Sequence, residues 1–102
     1  MFRIASGKGF LITFENGWTI SVQFGSGNYC DNRYMAMGIH YFETQANIGA
    51  KGSGNAEIAA WDQNDVWYKF DGDDVKGYVT PDEVLSWMNI IAGLPKSEKT
   101  VY

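Results

Sequence analysis

Cysteine is almost missing from this chain. Cys30 stands alone among 102 residues, so neither an intrachain disulfide nor a cysteine-built zinc site can form. A small domain without such a staple fits a reducing compartment. Histidine is equally scarce, and the single His40 excludes multi-histidine metal sites. No continuous apolar run reaches signal-peptide or membrane-spanning length, which leads to the expectation of a cytoplasmic protein without membrane association. A run of lysine or arginine is lacking as well. Residues 1–51 carry four basic and three acidic side chains, residues 52–102 four basic and nine acidic, for a net charge of −4. General nucleic-acid binding rests on clustered cations and is therefore not expected. The acidic half either keeps the chain in solution or meets a basic protein surface.

Aromatic residues are plentiful at 16%, within an ordinary globular composition of 45% hydrophobic and 20% charged residues. They either fill a small core or lie at a contact surface. The length suits one domain spanning residues 1–102. Trp18, Ile20, Val22 and Phe24 alternate with Thr19, Ser21 and Gln23, the pattern of a half-buried strand. Residues 10–14 precede it. A two-residue turn at Asn16-Gly17 would send the two apolar sets to opposite faces. A three-residue loop, Glu15-Asn16-Gly17, pairs Phe14 with Trp18, Ile12 with Ile20 and Phe10 with Val22, and so is preferred, with Gly17 left-handed. Further strands are expected over Tyr34–Phe42 and in a second hairpin, 56–61 with 66–70, around Asp62–Asp65. Residues 43–55 read as a flexible loop. Thr80, Pro81 and Glu83 form a helix start with a capping box. Val84, Trp87, Met88 and Ile91 then make a core-facing stripe that Ile90 and Leu94 widen, and Gly93 with Pro95 ends the helix. The tail beyond it is expected to be loosely held. The fold class is α+β: a small twisted antiparallel sheet of about four or five strands packed by one C-terminal helix.

The 25–33 segment is the place to look for function. Gly25 and Gly27 allow close backbone approach, Tyr29 offers a ring, Asn28, Asp31 and Asn32 offer polar side chains, and Arg33 offers a cation. Such a set could grip a small anionic or nucleotide-like ligand, with Arg33 on phosphate and Tyr29 on a base. The same residues also suit a plain strand connection rich in turn formers. No Gly-Lys-Ser/Thr follows, so this is no P-loop. Asp71-Gly-Asp-Asp74 places its glycines wrongly for an EF-hand and reads as a solvated acidic turn. Cys30 and His40 have no partner in sequence that would make them a catalytic pair. Neither a catalytic residue, a metal nor a cofactor is assigned.

Three segments carry a resemblance: residues 9–32 (Gly-Phe-Leu-Ile-Thr-Phe-Glu-Asn-Gly-Trp through Asn-Tyr-Cys-Asp-Asn), residues 56–62 (Ala-Glu-Ile-Ala-Ala-Trp-Asp) and residues 73–84 (Asp-Asp-Val-Lys-Gly-Tyr-Val-Thr-Pro-Asp-Glu-Val). From about Gly9 to Val84 the chain resembles small uncharacterised proteins encoded by tailed phages and prophages. The resemblance implies an accessory phage protein acting in a bacterial cytoplasm. It brings no site residues with it. Proteins of that kind often counter host defences, by sequestering a signalling nucleotide or by blocking a defence protein, so the expected partner is a host protein or a small nucleotide. Self-association, a virion-associated structural role and a small hydrolase are the other readings.

Overall fold

Phe14 accepts the Gly17 N–H at 3.0 Å and donates its own N–H to Trp18 at 2.9 Å, which closes the three-residue turn expected from the alternation. Gly17 has φ +88°, and a Cβ there would lie 2.6 Å from Ser97 Oγ and run into the Gln63 amide. The computed structural model describes residues 1–5, 8–25, 28–30 and 53–98. Around this turn it builds a five-stranded antiparallel sheet in the order β1-β2-β3-β4-β5. The strands are β1 (Phe2–Ile4), β2 (Gly9–Thr13), β3 (Thr19–Gln23), β4 (Ala56–Trp61) and β5 (Val75–Val79), followed by helix α1 (Pro81–Ala92). The chain is thus a small α+β fold, and among the described residues no helix is long and apolar enough to cross a membrane.

The β2–β3 register is Phe10↔Val22 and Ile12↔Ile20, so the apolar set shares one face, as the three-residue loop requires. Ile58 and Ala60 extend that face on β4 through Val22↔Ile58 and Ile20↔Ala60. Ile20, Val22, Ile58, Ala60, Phe70, Val79 and Ile91 are buried together, with Trp18, Tyr68, Trp87 and Met88 packed around them. The half-buried reading of β3 needs correction: Thr19 and Ser21, on the opposite face, are buried too. Both are small side chains on a central strand, set between the larger cross-strand neighbours Leu11 and Trp61. Their hydroxyls are used, Thr19 with Thr13 at 2.8 Å and Ser21 with the Gln23 amide at 2.9 Å, which removes most of the cost of burying them.

The second hairpin holds at its turn and at its first rungs only. Asp62 Oδ1 accepts the Asn64 and Val66 N–H groups, and Tyr68 donates to Ala60 at 2.9 Å. Residues 66–70 then leave the sheet, because Phe70 turns into the core against Trp87, with ring centroids 5.0 Å apart. The first part of β4 pairs instead with β5, a strand the sequence reading did not mark. The strand expected at Tyr34–Phe42 and the part of the 43–55 loop up to Gly52 lie outside the described residues.

Helix α1 begins as its sequence dictates: Thr80 Oγ1 accepts the Glu83 N–H at 3.3 Å, and Glu83 returns a carboxylate oxygen to the Thr80 N–H at 3.2 Å. Ile91 is fully buried, with Val84, Trp87 and Met88 against the core. Ile90 does not join the stripe; it is 45% exposed, one step round the helix from the buried Ile91. Gly93 ends the helix without a left-handed residue, at φ −91°. The orphan carbonyls at that end are met from elsewhere: the Asn16 amide donates to Ile91 O at 2.8 Å, Leu94 O at 3.1 Å and Ala92 O at 3.2 Å. The start of the tail is tied to two turns, with Ser97 N–H on Asn16 O at 2.7 Å and the Asn64 amide of the 62–65 turn on Glu98 O at 3.0 Å.

Candidate functional site

β5 is the bulged strand of its pair. Ala56 faces Val79 and Ile58 faces Lys76, so Glu57 alone opposes both Gly77 and Tyr78. Tyr78 takes φ +56°, a left-handed conformation that is a genuine outlier for a bulky side chain. Asp65 and Asp71 also have positive φ, but both sit in turns and belong to a residue type that tolerates it. Tyr78 is 54% exposed, so burial does not explain why a tyrosine is kept there. Strained residues of this sort cluster where function needs a side chain in a fixed place.

The 28–30 turn docks on this bulge. Tyr29 donates its N–H to Glu57 Oε2 at 2.8 Å, and its carbonyl accepts the Tyr78 N–H at 2.8 Å. The contact works because residue 77 is glycine: a Cβ there would lie 2.5 Å from the Tyr29 Cβ and 3.1 Å from its carbonyl oxygen. Behind Tyr29 the turn is anchored by buried groups. Asn28 donates Nδ2 to Phe24 O at 3.3 Å, Gly25 N–H reaches Cys30 Sγ at 3.2 Å, and Cys30 is fully buried.

A cleft of about 440 Å³ opens beside the bulge, lined by Tyr29, Asp73, Asp74, Val75, Gly77 and Tyr78. Asp73 and Asp74 arrive through the tight turn after Phe70, where Phe70 and Asp73 exchange both backbone bonds, at 2.7 and 3.1 Å. Asp71 and Gly72 fill its two left-handed positions, the signature of a two-residue hairpin turn. The acidic 71–74 run is therefore a turn that delivers two carboxylates to the cleft wall. Lys69 pairs with Asp74, which leaves Asp73 the carboxylate of the wall without an ion pair among the described residues. Glu57 adds a third negative group at the back of the bulge. Two tyrosines and two aspartates make a lining suited to a cation, through ring faces and carboxylate acceptors together.

Of the residues singled out from sequence, Tyr29 lines the cleft and Asn28 holds the turn beneath it. Asp31, Asn32 and Arg33 lie outside the described residues, as does His40. Glu57, Asp73, Asp74, Gly77 and Tyr78 are not singled out by the sequence as site residues; they fall in the acidic half, whose charge leaves both a solvated face and a partner surface open. One signal was available: a glycine inside Val-Lys-Gly-Tyr-Val points to a bulge. No group of three or more histidine, cysteine, aspartate or glutamate side chains among the described residues is arranged to hold a metal ion. No protein-family model, no curated protein and no solved structure matches the chain.

Proposed function

We propose that this is a non-enzymatic binding protein that grips a cationic segment of a partner protein in the cleft between Tyr29 and Tyr78. The observation that carries the reading is Tyr78 itself, an exposed ring held left-handed beside Asp73 and Asp74. The charge distribution supports it, since the acidic half supplies every charged group of the wall and would draw a basic surface in. The phage resemblance gives the context: an accessory protein that blocks a host protein, with antiviral defence as the natural target. Nucleotide sequestration fits the cleft less well, because a phosphate would meet Asp73 and Asp74, with the Lys69 cation already engaged.

Isothermal titration separates the two. A short arginine- and lysine-bearing peptide should give saturable heat that falls roughly tenfold in affinity when Asp73→Asn and Tyr78→Ala are combined, the loss of one charge-assisted contact and one cation–π contact. Cyclic and ADP-ribose-type nucleotides should give none. Saturable nucleotide heat that vanishes in Arg33→Ala would replace the proposal with sequestration.

A further inference from the structure

The opposite edge of the sheet carries a second surface. Met1 and Thr13 exchange both backbone bonds, each at 2.8 Å, and Ala5 donates to Gly9 O at 3.1 Å. Antiparallel pairing alternates, so residues 1, 3 and 5 spend their N–H and C=O groups on β2, while those of Phe2 and Ile4 point away from the sheet. β1 is the last strand of the order, and among the described residues these four groups have no strand beside them. The same two residues leave apolar side chains uncovered, Phe2 at 78% and Ile4 at 85% exposed, with Met1 beside them at 79%. They flank Ile12 and Phe10 on the core face, at the side of the sheet that α1, seated over β3 and β4, does not reach. An edge that joins unpaired backbone groups to exposed apolar side chains is a template for one more strand.

Arg3 decides which strand. It lies between Phe2 and Ile4 on the opposite face, exposed and without an ion-pair partner among the described residues. A second copy that used all four edge groups would set Phe2 against Ile4 and Arg3 directly against Arg3, and like charges opposed across strands are destabilising. A strand with an acidic residue at that position, between two apolar ones, satisfies the edge, the apolar face and the charge at once. We infer that β1 accepts an extended segment of another protein with an apolar–acidic–apolar core, added as a sixth strand. This surface is separate from the Tyr29–Tyr78 cleft and does not depend on it.

The probe is a capped nine-residue peptide alternating valine with threonine around a central Val-Glu-Val, compared with its Val-Lys-Val counterpart. Amide exchange followed by NMR should show Phe2 and Ile4 exchanging fast in the free protein while Arg3 is protected, with both becoming protected as the glutamate peptide is added. The lysine peptide should bind roughly fivefold more weakly, the size of a cross-strand charge reversal, and Arg3→Glu should reverse that order. Ile4→Pro removes an outward N–H without touching the β1–β2 ladder and should reduce binding by about tenfold or more. If Ile4→Pro unfolds the edge, the Arg3→Glu reversal still decides. The inference is overturned if neither peptide binds, if both bind equally, or if Arg3→Glu leaves their order unchanged. It is also overturned if the free protein sediments as a dimer with Phe2 and Ile4 already protected, which would assign the edge to a second copy.

Discussion

Asn16 does three jobs from one turn position. Its Oδ1 accepts the Trp18 N–H at 3.1 Å, its Nδ2 reaches the carbonyls at the end of α1, and its own carbonyl holds Ser97. Those helix carbonyls would otherwise depend on water or on a left-handed cap that Gly93 does not provide. Asn16→Ala should therefore lower unfolding free energy by about 1–2 kcal/mol in urea titration, the usual cost of leaving partly buried acceptors without a donor. Asn16→Asp should cost more, because a carboxylate would face carbonyl oxygens at the negative end of the helix dipole. Tyr78 is expected to behave in the opposite sense. Glycine at that position keeps the N–H bonded to Tyr29 and removes the left-handed penalty, so Tyr78→Gly should stabilise the fold by about 1 kcal/mol. The same variant should lose affinity for the cationic peptide. Loss of stability in Tyr78→Gly would show that the ring serves packing, and the strain would no longer point to a site.

At the scale of elements, the start of α1 is the part whose pH response can be stated. Hydrogen bonds from Thr80, first from its hydroxyl and then from its N–H, hold the Glu83 carboxyl below the usual range, with the nearby Lys76 charge in support. A carboxylate whose pKa falls on folding adds stability that is present above its unfolded value and is lost as pH drops through the folded one. Glu83→Gln keeps a carbonyl acceptor but does not titrate. The melting temperature of the wild-type chain should thus exceed that of Glu83→Gln at neutral pH, and the gap should close on acidification. A gap independent of pH would mean that Glu83 acts through packing alone. This cap was legible in the sequence because Thr80, Pro81 and Glu83 lie within four consecutive residues and depend on nothing distant. The β2–β3 register was legible for the same reason, since a period of two and one glycine leave a single loop length that keeps six apolar residues together. β5 was not. Lys76 and Gly77 at its centre are poor strand formers, and the bulge there is set by Glu57 and by Tyr29, from two other parts of the chain. Half of the candidate site was hidden with it, because a ring in a polar loop stands out in sequence whereas a strained ring on a bulge exists only once the strands are paired.

For the molecule as a whole, the question is whether hairpin, excursion and helix fold as one unit. Trp18 of the hairpin meets Tyr68 edge-on at 6.4 Å, Tyr68 meets Phe70 at 5.0 Å and Trp87 of α1 at 5.9 Å, and Phe70 meets Trp87 at 5.0 Å. Two of these contacts are made by Trp87 of α1, and both are lost if the helix lifts away alone. Asn16 adds a second tie between the same hairpin and the far end of the helix. Of the four tryptophans, Trp87 therefore reports on the helix–sheet contact, while far-UV circular dichroism reports on the backbone. In urea the two signals should follow one transition with a common midpoint, the behaviour of a cooperative small domain. Phe70→Ala should shift both midpoints together, because it empties the buried centre of the cluster at a cost of about 3–5 kcal/mol, a large share of what a domain this size has. If fluorescence shifted first and circular dichroism stayed in place, the helix would be a separable cover. The sheet, with the bulge at one edge and β1 at the other, would then hold the two proposed binding surfaces without it.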